Sequence, residues 1–320
     1  MAAPPLLLHS LVEFRGLIEP CLGAARARTI LEIGSESAAN TRALLAFASN
    51  NDGHLWCVEP APRPELEQLD AEEERLHLVP SRSPWALEEL DACDAYIIDG
   101  DHNYWTVTRE LEHIDARARA AGLPALVALH DVSWPCGRRD HYYAPEALPA
   151  GAVHAYSWDR GSRPGQSEAQ PGGFRGAGAF AIALHEGGER NGVRTAVEDF
   201  VADHGELRFI HVPMIFGLGI VYSGEAPYAG AIEEILCPFD RNPMLERLER
   251  NRVELYLKLI EQQDAVSKLG LRQGRLLAEY DRSLTAAEAE AAALRAEVVR
   301  LRERADSQEQ PGSQGAQAPQ

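Results

Sequence analysis

From about residue 28 the chain alternates short apolar runs with stretches of helical period, and no other feature so narrows what it can fold into. "TILEIG" (29–34), "HLWCVEP" (54–60), "RLHLVPS" (75–81), "DAYIIDG" (94–100) and "ALVALHDV" (125–132) read as buried strands. "ANTRALLAFASN" follows the first. After the fourth, Tyr104, Val107, Leu111, Ile114 and Ala118 share one helical face, with Gly122 placed to stop the helix. This alternation predicts a parallel sheet covered by helices on both faces. Helical pattern returns at 193–205. The runs "LRFIHVPMI" and "FGLGIVYS" then lie so close together that they predict an antiparallel pair at the sheet edge.

The flanks differ from this core. Residues 1–27 read as an amphipathic helix, because the opening lacks a charged leader and its apolar run is broken by His9, Glu13 and Arg15. Residues 133–180 are rich in Gly, Pro, Arg and aromatics without a clear period, as expected of a lid, a binding loop or disorder on the substrate side. Residues 241–304 predict a helical, coiled-coil-like extension. Its stripe is Leu284, Ala287, Ala291, Leu294, Val298 and Leu301, with Gly270 and Gly274 expected to break the helix ahead of it. The tail at 305–320 lacks core-forming residues and is expected to be disordered.

Charge and cysteine content exclude some classes. Lys and Arg number 31 against 49 Asp and Glu, a net charge of −18 that repels phosphate backbones and anionic membranes, so no nucleic-acid partner is expected. The five cysteines are dispersed without a CxxC pair, which fits reduced thiols and a cytoplasmic location. No run approaches the roughly 20 apolar residues of a membrane span.

The strand ends hold the chemistry. In "LEIGSESAANT" Glu32 and then Gly34 precede small polar residues and a helix, the layout of a nucleotide-type turn. Glu59 ends the second strand, where an acid can bind both ribose hydroxyls or can simply be a solvated strand end before Pro60. The fourth strand runs into Asp99, Gly100, Asp101 and His102, and the fifth into His130 and Asp131. Adjacent parallel strands deliver such residues to one crevice, and two carboxylates there repel unless a cation or proton lies between them. With an imidazole they can hold a divalent ion in an open coordination sphere. Alternatively, His102 or His130 acts as a general base without metal. A purely structural alternative has Asp101 capping the next helix, His102 in a solvated turn and His130 bonded to backbone.

Together these residues resemble the class I S-adenosylmethionine-dependent methyltransferases over about 28–223. The resemblance implies an α/β, Rossmann-like fold: a mostly parallel seven-stranded sheet with an antiparallel last strand, in a domain spanning 28–240. It also implies cofactor contacts at Glu32, Gly34, Ser35, Glu59, Ser81 and Asp99. The family's usual second glycine falls at Ala38, a departure. "IDGDH" with Tyr104, the pair His130–Asp131, and "LHDVSWPCGRRDHYY" (129–143) are similar to sugar and small-molecule O-methyltransferases. That likeness implies catalysis by Asp99, His102, His130 and Asp131 on a hydroxyl of a small-molecule or glycan acceptor. Mg²⁺ or Mn²⁺ would sit on Asp99, His130 and Asp131. Trp134, Arg138, Arg139, Tyr142 and Tyr143 either line the acceptor pocket or pack the loop, and Ser83 either meets adenine or starts a helix. The other reading, motivated by Ala38 and the appended helix, is a degenerate fold that binds a partner, or forms an oligomer, through that helix. A nicotinamide-dependent dehydrogenase is disfavoured because the first turn lacks GxGxxG.

Overall fold

The computed structural model describes residues 10–35 and 38–308. A 3-10 turn (Leu11–Phe14), capped by the Ser10 hydroxyl, leads into α1 (Arg15–Ala25). The first nine residues of the helix expected at 1–27 lie outside the described residues, as do 309–320 of the tail. Alternation then runs as expected: β1 (Thr29–Ile33), α2 (Ala39–Asn50), β2 (His54–Val58), α3 (Pro64–Glu72), β3 (Leu76–Val79) and α4 (Ser83–Glu89). It continues with β4 (Ala95–Ile98), α5 (Tyr104–Ala121) and β5 (Leu126–Leu129). Asn103, not Asp101, caps α5 by accepting from the Thr106 N–H, and Gly122 closes it in the left-handed conformation.

Residues 133–183, here called the cap, hold β6 (His141–Tyr142), a second 3-10 turn (Pro145–Ala147), β7 (Tyr156–Ser157), β8 (Arg160–Arg163), β9 (Gln166–Pro171) and β10 (Ala181–Ala183). After it come α6 (Val193–Asp203), β11 (Leu207–Val212), β12 (Leu218–Ser223), α7 (Ala229–Leu236) and α8 (Pro243–Gln308).

The main sheet has seven strands in the order β11-β12-β5-β4-β1-β2-β3. All neighbours are parallel except β12, which is antiparallel to both β5 and β11. Ile33 pairs with Val58 on one side and Ile98 on the other, so the central strands end level with one another. One face buries Ile30, Leu55, Ile97 and Ala128 against α1, α2, α3 and α7; the other buries Leu31, Val58, Tyr96 and Leu129 against α4, α5 and α6. Every residue of β4 and β5 is buried, which is why both read as unbroken apolar runs.

The segment after β5 is folded, unlike a disordered loop. β6, β10 and β7 form one small sheet and β8 and β9 another. Fully buried Arg139 ties the two together by donating to the carbonyls of Ala183 (2.6 Å), Ser167 (2.8 Å) and Gln166 (3.2 Å). Of the two readings for Arg139, packing of the loop is the one found: it is an internal strut. Arg138 is engaged by Thr195 and Glu198. The early turns of α8 bring Val253 and Leu257 against Phe216, with Trp134 and Phe174 packed on that cluster.

The chain divides into a compact unit ending at Glu261 and a second unit from Gln262 onward. α8 passes through Gly270 and Gly274 without a break. Each glycine costs a helix only about 1 kcal/mol against alanine, and the Ala-, Leu-, Glu- and Arg-rich residues around them outweigh it. The helix continues to Gln308, past the start expected for the tail. Among the described residues no helix is long and apolar enough to cross a membrane.

Candidate active site

Strands β1 to β5 all end on one edge. Across it lie His130 and Asp131 after β5, Asp99 after β4, Gly34 after β1, Glu59 after β2 and Ser81 beyond β3. β1 stands where the winding reverses, with β2 on one side and β4 on the other, and crevices open at that point in such sheets.

The β1–β2 part of the edge is built largely from backbone. Gly34 has φ +83°, and a Cβ there would fall 2.2 Å from the Asp99 carbonyl oxygen, so the two strand tips touch main chain to main chain. Glu59 accepts from the Ser35 N–H (3.2 Å) and the Ala61 N–H (3.0 Å), which aims its carboxylate over the turn. The Ser35 hydroxyl is buried without an oxygen or nitrogen partner among the described residues. Ala38 adopts φ +56° at the start of α2, so an alanine carries the left-handed conformation that glycine takes most readily. Glu32 is fully buried, held by Asn40 Nδ2 (2.8 Å) and the Cys57 thiol (3.7 Å), and burial raises its pKa to about 7. It braces β1 against α2. Ser81 is half-buried and reaches only the Arg82 carbonyl (3.5 Å), while Ser83 turns inward to Glu110.

The β4–β5 part is built from side chains. His102 Nε2 lies 3.0 Å from Asp131 Oδ2 and 3.4 Å from Asp99 Oδ1. His130 Nδ1 lies 3.2 Å from Asp99 Oδ1 and 3.6 Å from Asp131 Oδ2. All four residues named from the sequence thus meet, and His102 is no solvated turn residue. Burial alone would lower the pKa of both imidazoles, yet the carboxylates of Asp131 and Asp99 raise each to about 9. Burial would raise Asp99, but the His130 charge and hydrogen bonds from both rings hold it well below the usual carboxylate range.

The far side of His130 fixes its tautomer. Nε2 sits 2.8 Å from the Ile215 carbonyl oxygen, which can only accept, so Nε2 carries a proton. Nδ1 then either carries a second proton or presents a lone pair toward two carboxylates, an arrangement that calls for a cation. Asp99, His130 and Asp131 each bring one donor atom, all within 4.8 Å of one another. The orienting carbonyl behind a histidine donor is the usual support of metal ligands.

Several parts of this site have no sequence signal. Ile215 (φ +50°) and Phe216 (φ +63°) are consecutive left-handed residues, an outlier for a β-branched side chain and the means by which the Ile215 carbonyl faces His130. Buried Glu249 of α8 accepts from the Phe216 N–H (2.9 Å) and pairs with Arg252, and the Ser133 N–H donates to the Phe216 carbonyl (2.7 Å). Phe14 packs edge-on against the His130 ring. Asp101 accepts from Asn103 (2.7 Å) and Thr106 (3.3 Å), and its other oxygen takes the Tyr143 N–H (3.4 Å), joining α5 to the cap. Asp140 accepts from the N–H groups of Tyr104 and Gly192 and from the Tyr142 hydroxyl, so Tyr142 is packing rather than pocket lining. The signal that could have found Asp140 is its place in the polar string "GRRDHYY".

Residues 31–132 match a family profile described as a methyltransferase domain, a stretch that contains every strand tip of the site. The mostly parallel seven-stranded sheet with its antiparallel β12 has the Rossmann-like methyltransferase fold. Among solved structures, the S-adenosylhomocysteine-bound Podospora anserina methyltransferase PaMTH1 is similar at 14% identity and TM-score 0.38, over 65% of this chain and 77% of that one. An O-methyltransferase from Bacillus cereus in complex with S-adenosylhomocysteine is similar at 13% identity and TM-score 0.41, over 68% and 84%. None of the curated proteins matches this sequence.

Proposed function

We propose that this protein is an S-adenosylmethionine-dependent O-methyltransferase that acts on a hydroxyl of a sugar or other small polar acceptor. The observation that carries this reading is the meeting of Asp99, His102, His130 and Asp131 beside the bare Gly34 turn. The β1 edge suits the cofactor. Gly34 leaves the backbone uncovered, the Ser35 hydroxyl meets no oxygen or nitrogen partner among the described residues, and Glu59 is oriented to take ribose hydroxyls. S-adenosylmethionine supplies a methyl group on a positively charged sulfur, and the acidic edge favours that charge.

The chain's own residues must take the acceptor's proton, because a neutral alcohol is a weak nucleophile. His102 Nε2 is the proton acceptor. With its pKa raised to about 9 it is charged at neutral pH, so it must first release its own proton to solvent before it can take the acceptor's. Asp99 and Asp131 hold the ring in place and stabilise the imidazolium once it forms. His130, locked by the Ile215 carbonyl and covered by Phe14, keeps Asp99 ionised. Two carboxylates and an imidazole fit a divalent ion, and the nitrogen donor favours Mn²⁺ over Mg²⁺. Such an ion, held by Asp99, His130 and Asp131, would lower the pKa of a hydroxyl near it.

Isothermal titration of the protein with S-adenosylmethionine and with S-adenosylhomocysteine tests this reading. Saturable binding of both is expected, and binding of neither sinks it. A parallel Mn²⁺ titration should show one site that is lost in His130→Ala. If no such site exists and chelator leaves turnover unchanged, the metal role falls and the base role of His102 stands.

A further inference from the structure

Residues 262–308 form one uninterrupted helix in a unit of their own. Because Gly270 and Gly274 do not end it, the apolar stripe starts earlier than the sequence alone suggested. In heptad notation Leu277, Leu284, Ala291 and Val298 take position a, while Tyr280, Ala287, Leu294 and Leu301 take position d. The six large residues of this seam are each between 45% and 68% exposed, so the protein leaves a continuous apolar stripe facing water. Four heptads span about 42 Å at 1.5 Å rise per residue, long enough for a two-stranded coiled coil.

The charges beside the seam say what covers it. Position g holds Ser283, Glu290, Glu297 and Arg304, and position e holds Asp281, Glu288, Arg295 and Arg302. In a parallel pair of helices each g residue faces the e residue five positions further along the partner. Glu290 then meets Arg295 of the second copy, and Glu297 meets Arg302. Five residues apart on one helix, these side chains are not neighbours, so their spacing serves no pairing within the chain. An antiparallel pair sets g against g, which brings Glu290 against Glu297 and gives up both of these g–e pairs. Val298 at a, with Leu294 and Leu301 at d, favours two strands over three.

We propose that residues 277–304 form a parallel, two-stranded coiled coil with a second copy of this chain, so that the protein is a dimer. The second copy is the one partner guaranteed to carry the complementary charges in register.

The test uses the full chain. Light scattering coupled to gel filtration at micromolar concentration should give twice the 35.1 kDa chain mass. Leu294→Asp with Val298→Asp should give a monomer that keeps the thermal transition of the compact unit. Glu290→Arg with Glu297→Arg should weaken self-association, as should Arg295→Glu with Arg302→Glu, and mixing the two variants should restore a dimer. Orientation is read by Leu301→Cys in a Cys237→Ser background, since Cys237 is the exposed thiol and the other four are buried. The parallel seam expects a disulfide between the two copies of position 301. A wild-type monomer, a dimer indifferent to Leu294→Asp with Val298→Asp, or no 301–301 crosslink would each overturn the proposal.

Discussion

The two halves of the strand-tip edge solve different problems with different materials. At β1 and β2 the surface is main chain. Gly34 lies against the Asp99 carbonyl, and Glu59 is oriented by two N–H groups. At β4 and β5 the surface is four ionisable side chains within hydrogen-bonding reach of one another, two of them with pKa values near 9. The first half is suited to hold a ligand of fixed shape. The second is suited to hold or move a proton, and its state depends on pH and on any bound cation.

Breaking the second half should cost the most. Asp131→Ala removes a carboxylate from His102 and should lower turnover by about 10²–10⁴-fold while leaving cofactor affinity within a few-fold, read by product formation beside calorimetry. A parallel fall in both quantities would erase the division of labour. Gly34→Ala attacks the first half, where the new Cβ meets the Asp99 main chain. Overpacking of about 1–3 kcal/mol is expected, read as weaker cofactor binding and a lower melting temperature.

Glu249→Gln tests whether the β4–β5 half depends on its distant brace. Loosening a hydrogen bond to a charged group is worth about 1.5–3 kcal/mol at most. A several-fold lower kcat with KM unchanged and a shifted pH profile is expected, whereas a structural defect alone would leave the profile in place.

The smallest effect is on stability. The folded pKa values of His102 and His130 lie above the ordinary 6.5, so their contribution is fully present below about pH 6.5 and is lost as pH rises through about 9. Melting temperature should therefore decline across that window in chelator, and less steeply in His102→Gln. An unchanged slope would mean that the rings are not held as imidazolium.

Legibility follows the same division. The five parallel strands could be read because they are buried on both faces, and Asp99 and Asp131 because strand ends on one edge converge. The cap could not, because β6 and β7 are two residues long and β10 three, too short for any period. Arg139 stayed open between pocket and packing, since nothing local marks an arginine whose carbonyl partners lie 27 to 44 residues away. The support of His130 was invisible for a related reason: it is the main-chain oxygen of Ile215, and its aim comes from two unusual dihedrals rather than from a residue type. Asp101 yielded the capping role to Asn103 because both are good caps and only their placement decides.

Asp131 has φ +60°, a conformation that disfavours most side chains by about 1–2 kcal/mol and that glycine, asparagine and aspartate tolerate best. Main-chain shape therefore restricts the alphabet at this position before chemistry has any say, and aspartate is the one charged member of that short set. Natural variants that abandon catalysis while keeping the fold should carry asparagine or glycine at 131. A survey of such chains can sort active from silent forms by reading that single letter.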